Sequence, residues 1–300
     1  MLFNYVEINN LKIPIVVEDK KLDTTILFLH GLNSSSDFAK KLEEYPKKYN
    51  SVIMNFPGSK YFQNELEPSE ITLEFWYECA LKVLKEIKSK NIYLVAHSMA
   101  GGIAAKLGYD PRIKKIFMIA TINPSMTKSP SYSSLKYIVS PESKTTFVWG
   151  KIISLGAKMF SKGRNLLQTF SNKSKWVNLL EKYVLNNDYL NLLDKEYQDN
   201  ANKMFFIIGQ KDKLIGTDQF IEYAKSLKIP ATIIGSGHSP IKNEPQLISS
   251  LLNSLSQAKK RKFWQSFITF DKNKININVD GEDTNEIDND IINDALNEIS

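Results

Sequence analysis

The sequence is poor in the residues from which disulfides, metal sites and membrane spans are built. Its 300 residues include one cysteine and three histidines. Cys79 cannot form a disulfide within the chain, and its apolar neighbours at helical spacing predict a core position. No stretch approaches the length of a membrane span, and the N-terminus lacks the basic and apolar regions of a signal peptide. We therefore expect a protein of the cytoplasm, with no metal and no cofactor.

The net charge of +6 is unevenly distributed along the chain. Residues 271–300 contain nine acidic residues and two lysines, so the first 270 residues are strongly basic. A basic body can indicate nucleic-acid binding. Because this sequence is rich in Lys, Asn and Ile throughout, its positive charge is only weak evidence for such a partner. We expect no nucleic-acid partner.

Apolar segments with strand character alternate with segments of helical spacing over most of the chain. Residues 2–8 and 12–18 alternate in polarity around Asn9 and Asn10, which predicts an antiparallel hairpin. The remaining strands are predicted at 24–29, 51–56, 115–121, 204–209, 231–234 and just before Ser98. Helices are predicted at 37–48, 69–88, 217–227 and 245–256, and Ser69 is the predicted cap of the helix over 69–88. This alternation predicts an α/β fold with a mostly parallel central sheet flanked by helices.

The alternation stops after residue 123. We predict a core of residues 1–123 and 203–258 and an inserted helical cap, or lid, over residues 124–202, where apolar residues fall at helical intervals. Between Met126 and Lys182 the cap carries ten Lys or Arg and two Glu. This charge either forms a solvated face or makes a peripheral contact with an anionic membrane, at the inner face of the cell membrane.

Residues 259–300 form a predicted C-terminal extension. The pattern allows a hairpin over 265–279 and an acidic amphipathic helix from Asp283. A disordered polar tail is an equal alternative, and the sequence names no partner protein for it.

The most informative stretch is Ala96-His97-Ser98-Met99-Ala100-Gly101. An apolar strand precedes Ser98 and small residues follow it, so the chain must turn sharply from strand to helix at this serine. Such a turn needs small residues two positions before and after the serine, and both are alanine here, where the usual motif has glycine. This predicts a nucleophile elbow with Ser98 at the carboxyl edge of the sheet. The alternative is an ordinary helix N-cap.

The scarce histidines lie beside predicted strand ends or beside Ser98. A serine hydroxyl attacks a carbonyl only if a base takes its proton, and His238, after the last strand, is the histidine free to do so. A carboxylate must fix the tautomer of that base, and Asp212 follows the preceding core strand. Asp188 and Asp194 are alternatives if the cap folds inward.

Four motifs together resemble the α/β-hydrolase family over residues 24–256. They are His30-Gly31, the turn at Ser98, the segment 209–212, and Gly237-His238-Ser239-Pro240, and the chain order Ser98, Asp212, His238 is that of the family. The resemblance implies an α/β-hydrolase fold and a Ser-His-Asp catalytic triad.

The resemblance also implies an oxyanion hole. Its donors would be the backbone N–H groups of Leu32 and Met99. His30 and Gly31 would then shape the loop after the first parallel strand. His97 is expected to point away from Ser98.

The residues around Ser98 resemble one branch of the family more than others. Haloalkane dehalogenases and epoxide hydrolases use aspartate at this turn, and proline iminopeptidases have tryptophan where this chain has Met99. The His-Ser-Met sequence is similar to the monoacylglycerol lipase and carboxylesterase branch. That likeness implies a serine hydrolase that cleaves small-molecule or lipid esters, such as monoacylglycerols or lysophospholipids, through an acyl-enzyme. The alternatives are a thioesterase, an acyltransferase, or a non-catalytic binding protein of the same fold.

Overall fold

A mostly parallel sheet of eight strands forms the centre of the protein. The computed structural model describes residues 3–129, 132–133, 135–136 and 175–257. The strands are β1 (Asn4–Ile8), β2 (Leu11–Glu18), β3 (Thr24–Leu29), β4 (Asn50–Met54), β5 (Asn91–His97), β6 (Ile113–Ile119), β7 (Met204–Gly209) and β8 (Ala231–Ile234). Their order is β1-β2-β4-β3-β5-β6-β7-β8. Only the pairs made by β2, with β1 and β4, are antiparallel in this sheet.

The first two strands form the predicted hairpin. Asn9 and Asn10 connect them with backbone φ angles of 48° and 65°. Two successive residues in the left-handed region make the type of turn whose twist matches a hairpin, and asparagine adopts that region more readily than most residues. The hairpin prediction is confirmed.

Helices cover both faces of the sheet. They are α1 (Leu73–Glu86), α2 (Gly101–Leu107), α3 (Lys175–Leu179), α4 (Asn187–Asn200), α5 (Thr217–Ser226), α6 (Pro240–Asn243) and α7 (Pro245–Gln257), with a 3-10 segment at Ser36–Glu44. Successive residues of β5 enter opposite layers, since Leu94 packs with α1 and α2 whereas Val95 packs with the 3-10 segment and α7. The strands are therefore apolar on both faces, as the sequence predicted.

Two predicted helices differ from the structure. The α-helix predicted over 37–48 is wrong, because residues 36–44 form 3-10 turns that end shortly before Pro46. The helix predicted to start at Ser69 starts at Leu73, where Thr72 caps it by accepting the N–H of Phe75. A separate turn over residues 67–70 delays the start of this helix.

Only part of the predicted cap lies within the described residues. There, Pro124–Lys128 is a 3-10 turn, and α3 continues through a π-helical turn, Leu180–Val184, towards α4. Residues 137–174 of the predicted cap and the predicted extension 259–300 lie outside the described residues. The cap, the extension and the domain boundaries therefore stay predictions. None of the helices within the described ranges is long and apolar enough to cross a bilayer.

Helix α2 packs so closely on α4 that a side chain at Gly102 would overlap the hydroxyl oxygen of Tyr189. Gly102→Ala is therefore expected to lower the free energy of unfolding by about 1–3 kcal/mol, although alanine favours helix. Urea unfolding measures the change. Tyr189→Phe removes the obstructing oxygen, so the double variant should regain most of the free energy of unfolding that Gly102→Ala loses. If the loss in the double variant equals the sum of the losses in the two single variants, the side chains at positions 102 and 189 do not contact each other.

Candidate active site

The chain turns from β5 into α2 at Ser98. Ser98 has a φ of 53°, in the left-handed region, where a residue with a Cβ costs on the order of 1 kcal/mol or more. A 3-10 turn over Ser98–Ala100 leads directly into α2, and Ala96 and Ala100 are completely buried. Alanine thus fits at both positions flanking the turn. The half-buried Ser98 side chain lies at the carboxyl end of the central strand.

The loop after β3 touches Ser98 at Gly31. A Cβ added to Gly31 would lie 2.7 Å from the Cβ of Ser98 and 3.1 Å from the carbonyl oxygen of His97. Any side chain at this position would therefore push the loop away from the serine. The close approach brings Leu32, the next residue, to the same end of the sheet, and Met99 follows Ser98 directly.

Ser98, His238 and Asp212 form one hydrogen-bonded series. Nε2 of His238 lies 2.9 Å from Oγ of Ser98, and Nδ1 of His238 lies 3.0 Å from Oδ2 of Asp212. Because a carboxylate only accepts, Nδ1 carries the proton, and Nε2 is left to accept the Ser98 hydroxyl proton. Asp212 and His238 are both buried. The two alternative carboxylates lie elsewhere, since Asp188 is exposed and Asp194 accepts from Tyr223 and Gln198.

The loops after β7 and β8 hold Asp212 and His238 together. A Cβ on Gly209, the last residue of β7, would overlap the carbonyl oxygen of Gly237, so these loops meet backbone to backbone. Oδ1 of Asp212 accepts the N–H groups of Leu214 and Ile215, both at 3.1 Å, which leaves Oδ2 for the histidine. The carboxylate is thus oriented before any ligand arrives.

His30 ties the loop after β3 to the end of β4. Its Nε2 accepts the N–H of Phe56 at 3.0 Å, so its Nδ1 carries the proton and donates to the carbonyl of Gly31 at 2.7 Å. Complete burial lowers the pKa of His30 to about 4. The ring is therefore neutral at physiological pH and fixes Gly31 against Ser98.

Known proteins share this architecture. A family model described as alpha/beta hydrolase fold matches residues 24–147. The crystal structure of a putative aryl esterase from Burkholderia cenocepacia superposes with a TM-score of 0.59 at 15% identity, covering 88% of this chain and 100% of that chain. The chain has the α/β-hydrolase fold.

Two curated relatives of this chain come from Mycoplasma. "Putative esterase/lipase 1" of Mycoplasma pneumoniae is 28% identical over 110 residues, which cover 35% of this chain and 40% of the relative. "Putative esterase/lipase 2" of Mycoplasma genitalium is 25% identical over 265 residues, which cover 81% of this chain and 93% of the relative. The first match therefore spans less than half of that relative, and the second nearly all of it.

Burial of neutral His30 makes the stability of this protein depend on pH. Its pKa is about 4 in the fold against an ordinary value of 6.5, so between these values the unfolded chain binds a proton that the folded chain does not. The free energy of unfolding is therefore expected to fall by about 3 kcal/mol as pH drops from above 6.5 to 4 because of this residue alone. Urea unfolding across this range, compared with His30→Gln, isolates the contribution. An equally steep fall in the variant would assign the effect to other groups.

Sequence reasoning missed the contacts of two residues beside Ser98, His238 and Asp212. Nε2 of His97 lies 2.8 Å from the carbonyl oxygen of His238, so His97 faces the loop that carries His238. Tyr197, on α4, donates to the carbonyl of Ile122 at 2.8 Å, and the N–H of Ile122 donates to the carbonyl of Ser98 at 3.1 Å. Both residues hold backbone groups of the site. Within the described ranges, no group of three or more His, Cys, Asp or Glu is arranged to hold a metal ion.

Proposed function

We propose that this α/β-hydrolase is a serine esterase or lipase that hydrolyses carboxylic esters. The observation that carries the proposal is the series from Ser98 through His238 to Asp212, with separations of 2.9 Å and 3.0 Å. A buried carboxylate, an imidazole of defined tautomer and a serine in a strained turn are the parts that acyl transfer needs. The names of the two curated relatives support the same class.

The first half of the proposed reaction forms an acyl-enzyme. Oγ of Ser98 attacks the ester carbonyl carbon while its proton passes to Nε2 of His238, and Asp212 stabilises the resulting imidazolium. The carbonyl oxygen becomes an oxyanion, for which the N–H groups of Leu32 and Met99 are the proposed donors. When the tetrahedral intermediate collapses, the carbon–oxygen bond to the alcohol breaks. The alcohol leaves with the proton from His238.

The second half releases the acid. Nε2 of His238, neutral again, takes a proton from water as the water oxygen attacks the acyl carbon of acylated Ser98. The second tetrahedral intermediate uses the same proposed donors. Its collapse returns the proton from His238 to Oγ, so the carboxylic acid departs and the free serine is restored. The sum is one ester and one water consumed for one acid and one alcohol.

Serine at the turn supports ester chemistry over other reactions of this fold. The fold hosts several chemistries, so the nucleophile must decide between them. An aspartate at position 98 would form an alkyl-enzyme ester with an epoxide or a haloalkane, whereas a serine hydroxyl forms an acyl ester from a carbonyl substrate. The proposal extends to lipid esters, such as monoacylglycerols or lysophospholipids, as substrates. It also places the protein in the cytoplasm, with the predicted basic cap in contact with anionic membrane.

A substrate panel with an activity-based probe tests the proposed function. The purified protein is assayed with p-nitrophenyl esters of increasing acyl length, with matched thioesters, and with an ester plus an added alcohol acceptor. We expect ester hydrolysis and covalent labelling of Ser98 by a fluorophosphonate, located by peptide mapping. Preference for thioesters indicates a thioesterase, and turnover only with the acceptor indicates an acyltransferase. Absence of both labelling and turnover would leave a binding protein.

A further inference from the structure

His97 hydrogen bonds to the backbone of the proposed base. Its Nε2 lies 2.8 Å from the carbonyl oxygen of His238, although the two residues are 141 positions apart. A carbonyl oxygen only accepts, so Nε2 of His97 must carry a proton and donate it. The contact therefore fixes both the tautomer of His97 and the position of the His238 peptide group.

The donor is held rigidly. His97 is the last residue of β5, which lies between β3 and β6 in the middle of the sheet. Its ring is buried and stacks on Phe38, with ring centroids 6.1 Å apart and an interplanar angle of 25°. The strand fixes the backbone and the stacking fixes the ring. His97 can therefore serve as a fixed reference for the loop that it contacts.

The loop that carries His238 is the partner in this bond. It follows β8, the last strand in the sheet order, whose first three residues are only half-buried. Backbone bonds from Lys211 to Ser236 and from Ser236 to Ile234 fix the start of this loop. The bond from His97 fixes the loop at the residue whose ring must reach Ser98.

The next residue after His97 is Ser98 itself. His97 is therefore joined covalently to the proposed nucleophile and by a hydrogen bond to the proposed base. The ring centroids of His97 and His238 lie 5.1 Å apart. We infer that His97 is a positioning residue that sets the distance between Oγ of Ser98 and Nε2 of His238. This inference rests on the proposed function, because that distance governs the first proton transfer.

Two replacements separate hydrogen bonding from packing. His97→Phe keeps an aromatic ring against Phe38 but has no donor, whereas His97→Gln can place an amide N–H near the position of Nε2. A displacement of about 1 Å in such a site can cost on the order of 10²-fold in rate. We expect His97→Phe to lower kcat and the rate constant of fluorophosphonate labelling by about 10-fold to 100-fold, with KM changed by less than about threefold. His97→Gln should stay within about threefold of the wild type in both rates.

Tyr93→Phe is the matched control. Tyr93 lies on the same strand, and its hydroxyl also donates to a distant backbone carbonyl, that of Ser256 at 3.2 Å, far from the triad. Its loss should lower the melting temperature without lowering kcat. If rates in all three variants simply follow their melting temperatures, His97 is only a packing residue.

A proton resonance provides a readout that does not need turnover. The signal of the His238 Nδ1–H, identified by its loss in Asp212→Asn, is recorded for the wild type and both His97 variants. We expect it to shift or broaden in His97→Phe and to keep its wild-type position in His97→Gln. If the wild type neither hydrolyses nor labels, the proposed function fails while this signal still tests the positioning role. An unchanged signal in His97→Phe would overturn the inference.

Discussion

Ser98→Ala is expected to lower kcat/KM for p-nitrophenyl ester hydrolysis by about 10⁴-fold to 10⁶-fold. The variant removes the oxygen that lies 2.9 Å from Nε2 of His238 and leaves the other site residues in place. Alanine retains the Cβ, so the strained φ of 53° persists and the fold should not be greatly stabilised or destabilised. Initial rates with purified protein measure the loss.

A matched serine separates this effect from preparation and folding. Ser226 is exposed at the end of α5, and its hydroxyl donates to the carbonyl of Tyr223. Ser226→Ala should keep kcat/KM within about twofold of the wild type. Substantial hydrolysis by pure, folded Ser98→Ala would require another nucleophile.

Asp212→Asn is expected to lower kcat by about 10⁴-fold with little effect on folding. Oδ1 of Asp212 accepts the N–H groups of Leu214 and Ile215, and an asparagine oxygen can keep both bonds. Its amide nitrogen then faces Nδ1 of His238 and donates to it. The imidazole proton must move to Nε2, which can no longer accept the proton of Ser98.

Asp194→Asn provides the control for Asp212→Asn. Asp194 accepts from Tyr223 and Gln198 and makes no bond to His238. Its replacement should leave kcat within about threefold of the wild type. A kcat for Asp212→Asn above about one tenth of the wild-type value would show that this carboxylate does not orient the base.

The sequence predicted the parallel strands well because each contains a short, continuous apolar run. The predicted bounds of β3, β7 and β8 agree with the structure residue for residue. Parallel strands place their carboxyl ends at one edge, so predicted strands also predict which loops meet. That rule predicts that Ser98, Asp212 and His238 lie close together.

The errors arose where local propensity competes with neighbouring structure. Ser69 is as good a cap as Thr72, but the preceding turn at residues 67–70 makes Thr72 the start of the helix. The 3-10 segment at 36–44 has helical spacing of its apolar residues, and spacing alone does not distinguish 3-10 turns from an α-helix over so short a stretch.

The remaining differences concern contacts between distant segments. No periodicity indicates that His97 donates to the backbone of His238, or that Tyr197 reaches the strand end beside Ser98. A glycine at the end of β7 is one signal that could have been used, because Gly209 allows the loops that carry Asp212 and His238 to meet. Such positions become apparent only when the backbones are placed side by side.

Detection of an acyl-enzyme is the most direct test of the proposed mechanism. The wild type is mixed with a p-nitrophenyl ester, quenched in acid within the first turnover, and analysed by intact mass and peptide mapping. The proposed mechanism predicts one acyl group per chain, located on the peptide that contains Ser98 and absent from Ser98→Ala. Release of p-nitrophenol from an unmodified protein, or an acyl group on any other residue, would contradict it.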